Sequence, residues 1–191
     1  MFKNTGFNQV VPKELVLRAQ RGDIDAFEHI YRLFAEASYT MAYRICGQHT
    51  LAEDAVHDAF IKVMKNIKGY RHEGSFSGWC RKIVTCETIN RVKAHHRVHL
   101  VSDEVLSTSE DINLFEQNWL EACLDVEELI QKLTPLSRAV FLLHEIEGYK
   151  HKEIAEMFGK SVSFSKVTLN RAYITLKQML VAEQEEQKYA P

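Results

Sequence analysis

Proline and glycine are scarce in this chain of 191 residues: 3 and 8 respectively. So few breakers argue against a fold built from many short strands and tight turns. Cysteine is equally sparing. Cys46, Cys80, Cys86 and Cys123 form no C-x-x-C pair, which speaks against a disulfide framework. A zinc site joining Cys80 or Cys86 to His95, His96 and His99 lacks paired close ligands, so buried thiols and solvated histidines are expected, with no metal and no cofactor. No apolar run is long enough to span a bilayer and no signal peptide is evident, which points to the cytoplasm without membrane insertion. Neither a phosphate-cradling glycine loop nor a nucleophile–base–acid set is present, so no enzyme is expected.

Apolar residues instead recur at helical spacing, and the expected class is all-α. A short helix is predicted over residues 13–22, entered at Pro12 and left at Gly22. Asp23 and Gly47 bracket a second helix, with Phe27, Ile30, Tyr31, Phe34, Ala37 and Met41 along its apolar stripe. Thr50 and Glu53 have capping-box spacing for a third helix running to about Lys68. Its buried face would be Val56, Ala59, Phe60, Val63 and Ile67. A fourth is expected from about Ser75 to His96. Residues 98–125 read as a linker with a short helix near Leu114 to Leu120, separating a first domain (1–97) from a second (126–191). In the second, Thr134, Pro135 and Gly148 mark one helix. A short helix, a turn at Gly159 and a long helix from about Ser161 then give a helix-turn-helix rhythm.

The net charge of −2 conceals strong segregation. Residues 59–97 carry nine Lys or Arg against two acids, residues 98–130 carry nine acids and no Lys or Arg, and residues 160–178 carry four cations and no acid. Two basic blocks joined by an acidic strap fit a partner rich in phosphate. A solvated charged face is the bland alternative for any single block.

Three constellations carry functional candidates. On the second helix of the helix-turn-helix, Ser165, Leu169, Ala172 and Leu176 share the inward face. Ser163, Phe164, Lys166, Val167, Thr168, Asn170 and Arg171 are expected towards solvent or DNA, a residue set suited to base edges. Glu53, Asp54 and Asp58 crowd the start of the third helix. They either serve its N-terminus or meet a basic protein surface. The stretch "GYRHEGSFSGWCRKIV" interleaves aromatics and cations, as a core seam or as a platform for unpaired bases.

"RGDIDAFEHIYRLF", "AEDAVHDAFIKVMKN", "FSGWCRKIV" and "LTPLSRAVFLLHEIEGYKHKEIAEMFGKSV" resemble, in order and spacing, the two conserved regions of extracytoplasmic-function (ECF) sigma factors of the sigma-70 family. The resemblance covers residues 14–97 and 124–181. It implies a factor that binds core RNA polymerase and directs initiation at promoters without doing chemistry. Glu53, Asp54 and Asp58 match the segment that grips the β′ clamp helices. Residues 70–76 match the loop that captures a flipped base of the −10 element, which assigns Arg71, His72, Glu73, Gly74 and Ser75 to DNA. Arg81, Lys82, Cys86 and Asn90 match the helix that holds the melted strand. Phe76 and Trp79 match positions that pack under the loop; Tyr70 fits either role. The helix-turn-helix matches the −35 reader, whose domain also docks on the β-flap tip, and the linker matches the segment threading towards the RNA exit channel. An anti-sigma factor is a common partner in this family and would hold such a protein at the membrane when itself membrane-bound. Departures stand at Cys86 (commonly Asn), Asn90 (commonly Asp) and "SFSKVT" in the reading helix. The competing reading is a stand-alone helix-turn-helix regulator with a helical sensor domain.

Overall fold

The computed structural model describes residues 6–99 and 126–189, and among these there is no strand. The described residues fall into two compact units, divided between Ala94 and His95. The linker and its short helix lie outside the described residues.

In the first unit, helix α1 (Lys13–Gln20) begins where the Pro12 carbonyl accepts the Leu15 N–H at 3.0 Å. Helix α2 (Ile24–Cys46) opens on Asp23, whose carboxylate accepts the Ala26 N–H at 3.0 Å and the Arg18 guanidinium at 2.8 Å. Those two donors, the backbone amide first, hold the Asp23 carboxyl below its usual range. The helix ends on Gly47 at φ +71°, a backbone conformation that disfavours any Cβ.

Helix α3 (His49–Asn66) follows after two residues, and α2 and α3 pack against each other as a hairpin. Here the expected Thr50–Glu53 capping box does not form. The extended N-cap residue is Gln48, so Thr50 lies within the first turn. The earlier start coincides with His49 stacking on Tyr43 (centroids 4.4 Å apart) and sharing a hydrogen bond of 2.5 Å with the Tyr39 hydroxyl. A single 3₁₀ turn, Ile67–Gly69, leads to the loop and then to α4 (Phe76–His99).

All five residues expected on the buried face of α3 are buried. On α2 the stripe is rotated: Ala26, Ile30, Phe34, Ser38, Met41, Ala42 and Ile45 face inward, while Tyr31 is 43% exposed. Small residues permit this phase, since Ala26, Ser38 and Ala42 let neighbouring backbones approach. Tyr31 keeps one edge on the Phe60 ring at 4.8 Å.

In the second unit, α5 (Val126–Lys132) leads to α6 (Pro135–Phe141), whose first turn is capped by Thr134 Oγ1 accepting the Ser137 N–H at 3.4 Å. The regular helix stops earlier than Gly148. Leu142–Ile146 form a π turn, with Glu147 N–H donating to the Leu142 carbonyl and Tyr149 N–H to that of Leu143, each at 2.9 Å. Such wide turns add a residue and re-aim the side chains around them; here His144 and Glu145 lie within the turn. Helix α7 (His151–Phe158) ends at Gly159, φ +63°, and α8 (Val162–Tyr189) starts where Ser161 Oγ accepts the Phe164 N–H at 3.2 Å. Ile154, Ala155 and Phe158 of α7 and Ser165, Leu169, Ala172 and Leu176 of α8 are all buried, as the spacing predicts.

Candidate protein and nucleic-acid interfaces

The loop between the 3₁₀ turn and α4 is built on Tyr70. Its side chain is 8% exposed, and its hydroxyl donates to the Gly74 carbonyl at 2.8 Å, closing the loop over the ring. The ring lies 5.0 Å from His72, 5.2 Å from Phe76 and 5.4 Å from Trp79. Burial pushes the phenol pKa up, so the hydroxyl remains a donor at neutral pH. The aromatics of this stretch are therefore a seam: Phe76 is buried, Trp79 half-buried, and Tyr70 settles with them as scaffold.

Above the seam, Arg71, Glu73, Gly74 and Ser75 are exposed and His72 is half-buried. His72 takes φ +60° and Gly74 φ +79°, and for a residue with a side chain the left-handed region costs about 1–2 kcal/mol. Gln20 of α1, which sequence reading passed over, holds this conformation. Its Nε2 donates to the carbonyls of Ile67 and Tyr70, both at 2.9 Å, and its Oε1 lies 3.2 Å from His72 Nε2. Because the amide oxygen can only accept, His72 Nε2 carries a hydrogen here. Ser75 closes the loop by accepting the Gly78 N–H at 2.9 Å, capping α4.

Along α4, Lys82, Cys86 and Asn90 follow one another at four-residue spacing and share a face; Lys82 and Asn90 are exposed, Cys86 and Arg81 half-buried. Burial raises the Cys86 thiol against the opposing pull of Lys82. Cys80, fully buried six residues earlier, is pushed up to about 12. Both are thiols, not thiolates, at neutral pH. Among the described residues no three His, Cys, Asp or Glu lie together so as to hold a metal ion; the side chains of His96 and His99 lie outside that set.

The acidic face of α3 is partly occupied from within. Arg91 of α4 pairs with Asp58 and reaches Asp54 at 3.5 Å, while Lys62 of α3 pairs with Glu87 of α4 at 2.6 Å. Glu87, 8% exposed, also accepts from Asn90 Nδ2 at 3.2 Å. Asp58 and Lys62, one turn apart on α3, thus meet Arg91 and Glu87, one turn apart on α4. The reciprocal spacing of four was the signal available in the sequence. Glu53 and Asp54 are exposed, and Asp58 is half-buried in this ladder.

On α8, Ser163, Lys166, Val167 and Arg171 are exposed, and Asn170 is half-buried. Thr168 is a correction. At 8% exposure it faces the core, being three residues from Ser165 and four from Ala172 on the inward side. Phe164 is half-buried with its ring 5.6 Å from that of Phe158. Beneath the helix lies a polar cluster that no motif announced. His151 Nδ1 is 3.0 Å from the buried Ser165 Oγ, the His151 and His144 rings stack at 4.4 Å, and His144 Nδ1 is 2.7 Å from Glu145 Oε1. Burial first, then His144 and Lys166, lower the His151 pKa, while burial and a hydrogen bond to Glu145 raise that of Tyr173.

Two family patterns match the chain: sigma-70 region 2 over residues 30–98 and sigma-70 region 4 over residues 123–176. Among curated proteins, the ECF RNA polymerase sigma factor SigW of Bacillus subtilis is 26% identical over 90% of this chain and 98% of its own length. The RNA polymerase sigma factor YlaC of the same organism is 27% identical, over 86% of this chain and 97% of its own. The ECF sigma factor SigE of Mycolicibacterium smegmatis is 27% identical over 84% of this chain, which spans 64% of that protein. Two solved structures share the fold. One is the sigma factor RpoE of Bartonella quintana in complex with the anti-sigma factor NepR (TM-score 0.52, 21% identity, 81% of this chain and 96% of that one). The other is CnrH in complex with the cytosolic domain of CnrY (TM-score 0.51, 22% identity, 88% and 96%). With both conserved regions present in order, each on its own helical unit, the chain belongs to the sigma-70 family, in its extracytoplasmic-function branch.

Proposed function

We propose that this protein is an RNA polymerase sigma factor that binds the core enzyme and directs initiation through a −10 and a −35 element, without chemistry of its own. The observation that carries the reading is the placement of the two family regions on separate compact units, each offering exposed polar surface of the kind its role requires. In the first unit, Glu53 and Asp54, with Asp58 behind them, form an anionic ridge for the β′ clamp helices. The loop residues Arg71, His72, Glu73, Gly74 and Ser75 engage an unstacked base, and Arg81, Lys82, Cys86 and Asn90 follow the melted strand. Extruding a base costs a few kcal/mol, which a pocket that pairs its edge offsets. In the second unit, Ser163, Lys166, Val167, Asn170 and Arg171 face the −35 duplex. Phe164 supports them by packing on α7, and the same unit docks on the β-flap tip. An anti-sigma factor competes for these surfaces and, if membrane-bound, sets where the protein resides.

The test is reconstitution. Mixed with core polymerase, the protein is expected to give run-off transcripts from its own promoters while binding promoter duplex poorly alone. Glu53→Arg with Asp54→Arg is expected to weaken co-purification with core at unchanged helicity. Tight, polymerase-independent duplex binding would support the stand-alone regulator instead.

A further inference from the structure

A cavity of about 530 Å³ opens beside the loop. Its floor is Val16, Tyr70 and Phe76, and one wall is His72, Gly74, Ser75 and Ser77. The opposite wall comes from a different part of the chain, the segment leading into α1, through Asn8, Gln9, Val10 and Lys13. This strap precedes residue 30, where the region 2 match begins.

The strap is fixed at both ends. Phe7, 5% exposed, stacks on Phe34 of α2 with centroids 5.6 Å apart and rings 13° from parallel. Next to it, Gly6 at φ +71° lies so close to α2 that a Cβ there would fall 2.5 Å from that of Ala37. At the other end, Pro12 starts α1. Between these anchors Asn8, Gln9 and Val10 are exposed, Val10 at 93%. An apolar side chain that open, on a segment pinned at both ends beside a cavity, has no packing role in the isolated protein.

The cavity's chemistry narrows its occupant. Its floor is aromatic and apolar; its walls offer hydroxyls, an imidazole and side-chain amides; Lys13 stands in its lining and no carboxylate does. A planar ring with a hydrogen-bonding edge and an attached phosphate fits this set, whereas a cation would find no counter-charge. We propose that the strap of residues 8–10 is the second wall of a pocket for one unstacked nucleobase of single-stranded DNA, with Gln9 helping to choose the base and Val10 covering its face. This rests on the sigma-factor reading above and adds to it a selecting element outside the conserved region.

The test uses the full chain with core polymerase on a run-off template library randomised across the −10 element. Gln9→Ala and Val10→Ser, both at exposed positions and checked for helicity, are each compared with wild type. Gln9→Ala is expected to flatten base preference at one −10 position by about three- to tenfold while leaving preferences elsewhere intact, because unpaired pocket groups are what penalise the wrong base. Val10→Ser is expected to lower yield most on templates carrying the preferred base there. Preference profiles identical to wild type at every position would overturn the proposal, as would a loss that is uniform across all sequences. If wild type itself makes no transcript from any template, the sigma-factor reading fails first, and that outcome is distinct from either of these.

Discussion

Gln20→Ala removes three contacts at once, and its cost can be worked from the geometry. Two are hydrogen bonds to backbone carbonyls at 2.9 Å and one, at 3.2 Å, is to His72. Each such bond contributes about 0.5–1.5 kcal/mol net, and the low end applies where water can re-solvate the freed groups, as at this half-buried site. The sum is about 1.5–2 kcal/mol. A second effect separates this account from simple surface truncation. His72 is held at φ +60° partly by Gln20, so His72→Gly, which relieves that backbone, sacrifices a contact in wild type but not in the Gln20→Ala background. The double-mutant cycle is therefore expected to show coupling of about 0.5–1 kcal/mol. Urea unfolding followed by Trp79 fluorescence, in a Trp119→Phe background that leaves one tryptophan of the two, reports the first unit. A Gln20→Ala cost below about 0.5 kcal/mol with additive His72→Gly would refute the claim that this amide braces the loop.

His151 has a folded pKa lowered from 6.5, mainly by burial and by His144 and Lys166, with Glu145 opposing. The unfolded state therefore binds more protons, and the contribution His151 makes to the second unit's stability, full above pH 6.5, is lost as pH falls through the lowered value. Thermal melts from pH 7.5 to 5 should show the loss, and His151→Asn should flatten it. Lys62→Met leaves Glu87, whose side chain is 10% exposed, with the Asn90 amide still donating to it; we expect destabilisation of about 1 kcal/mol, since Lys62 is half exposed, largely relieved by adding Glu87→Gln. Cys80 and Cys86 should resist iodoacetamide at pH 7.5 in the folded protein and react on unfolding, as read by intact mass, because both thiols are raised by burial.

What the sequence disclosed depended on periodicity and on spacing. The inward faces of α3 and α7 were legible because apolar residues recur at three and four, and that of α8 because Leu169 and Leu176 anchor a stripe that Ser165 and Ala172 complete. The phase of α2 was not, because Ala26, Ser38 and Ala42 on its inward face carry little hydrophobic signal, while Tyr31 carries much and lies outward. The start of α3 was misread for a related reason: Thr50 and Glu53 satisfy a local rule, but the ring stack of His49 on Tyr43 joins residues of two helices and has no local signature. Thr168 shows the limit of a helical wheel at the edge of a stripe. It adjoins Leu169, and one residue's rotation decides between DNA and core. Gln20, 47 and 50 residues from the carbonyls it binds, is invisible to any window.

Segment charges, though correctly counted, describe the surface less well than they suggest. Among the described residues of 59–97, the cations Lys62 and Arg91 are engaged with acids across α3 and α4. The basic surface proposed for a DNA strand rests more on exposed Lys65, Lys68, Arg71 and Lys82. The same pairing divides the acidic triad. Asp58 lies inside the ladder, so reversing its charge would set two cations against each other between the helices and unfold as much as it unbinds. Glu53 stands outside the ladder, and Asp54 meets it only at 3.5 Å with most of its carboxylate exposed. A loss of core-polymerase binding caused by Asp58→Arg would therefore report on the α3–α4 packing, whereas the same loss from Glu53→Arg would report on the proposed docking face.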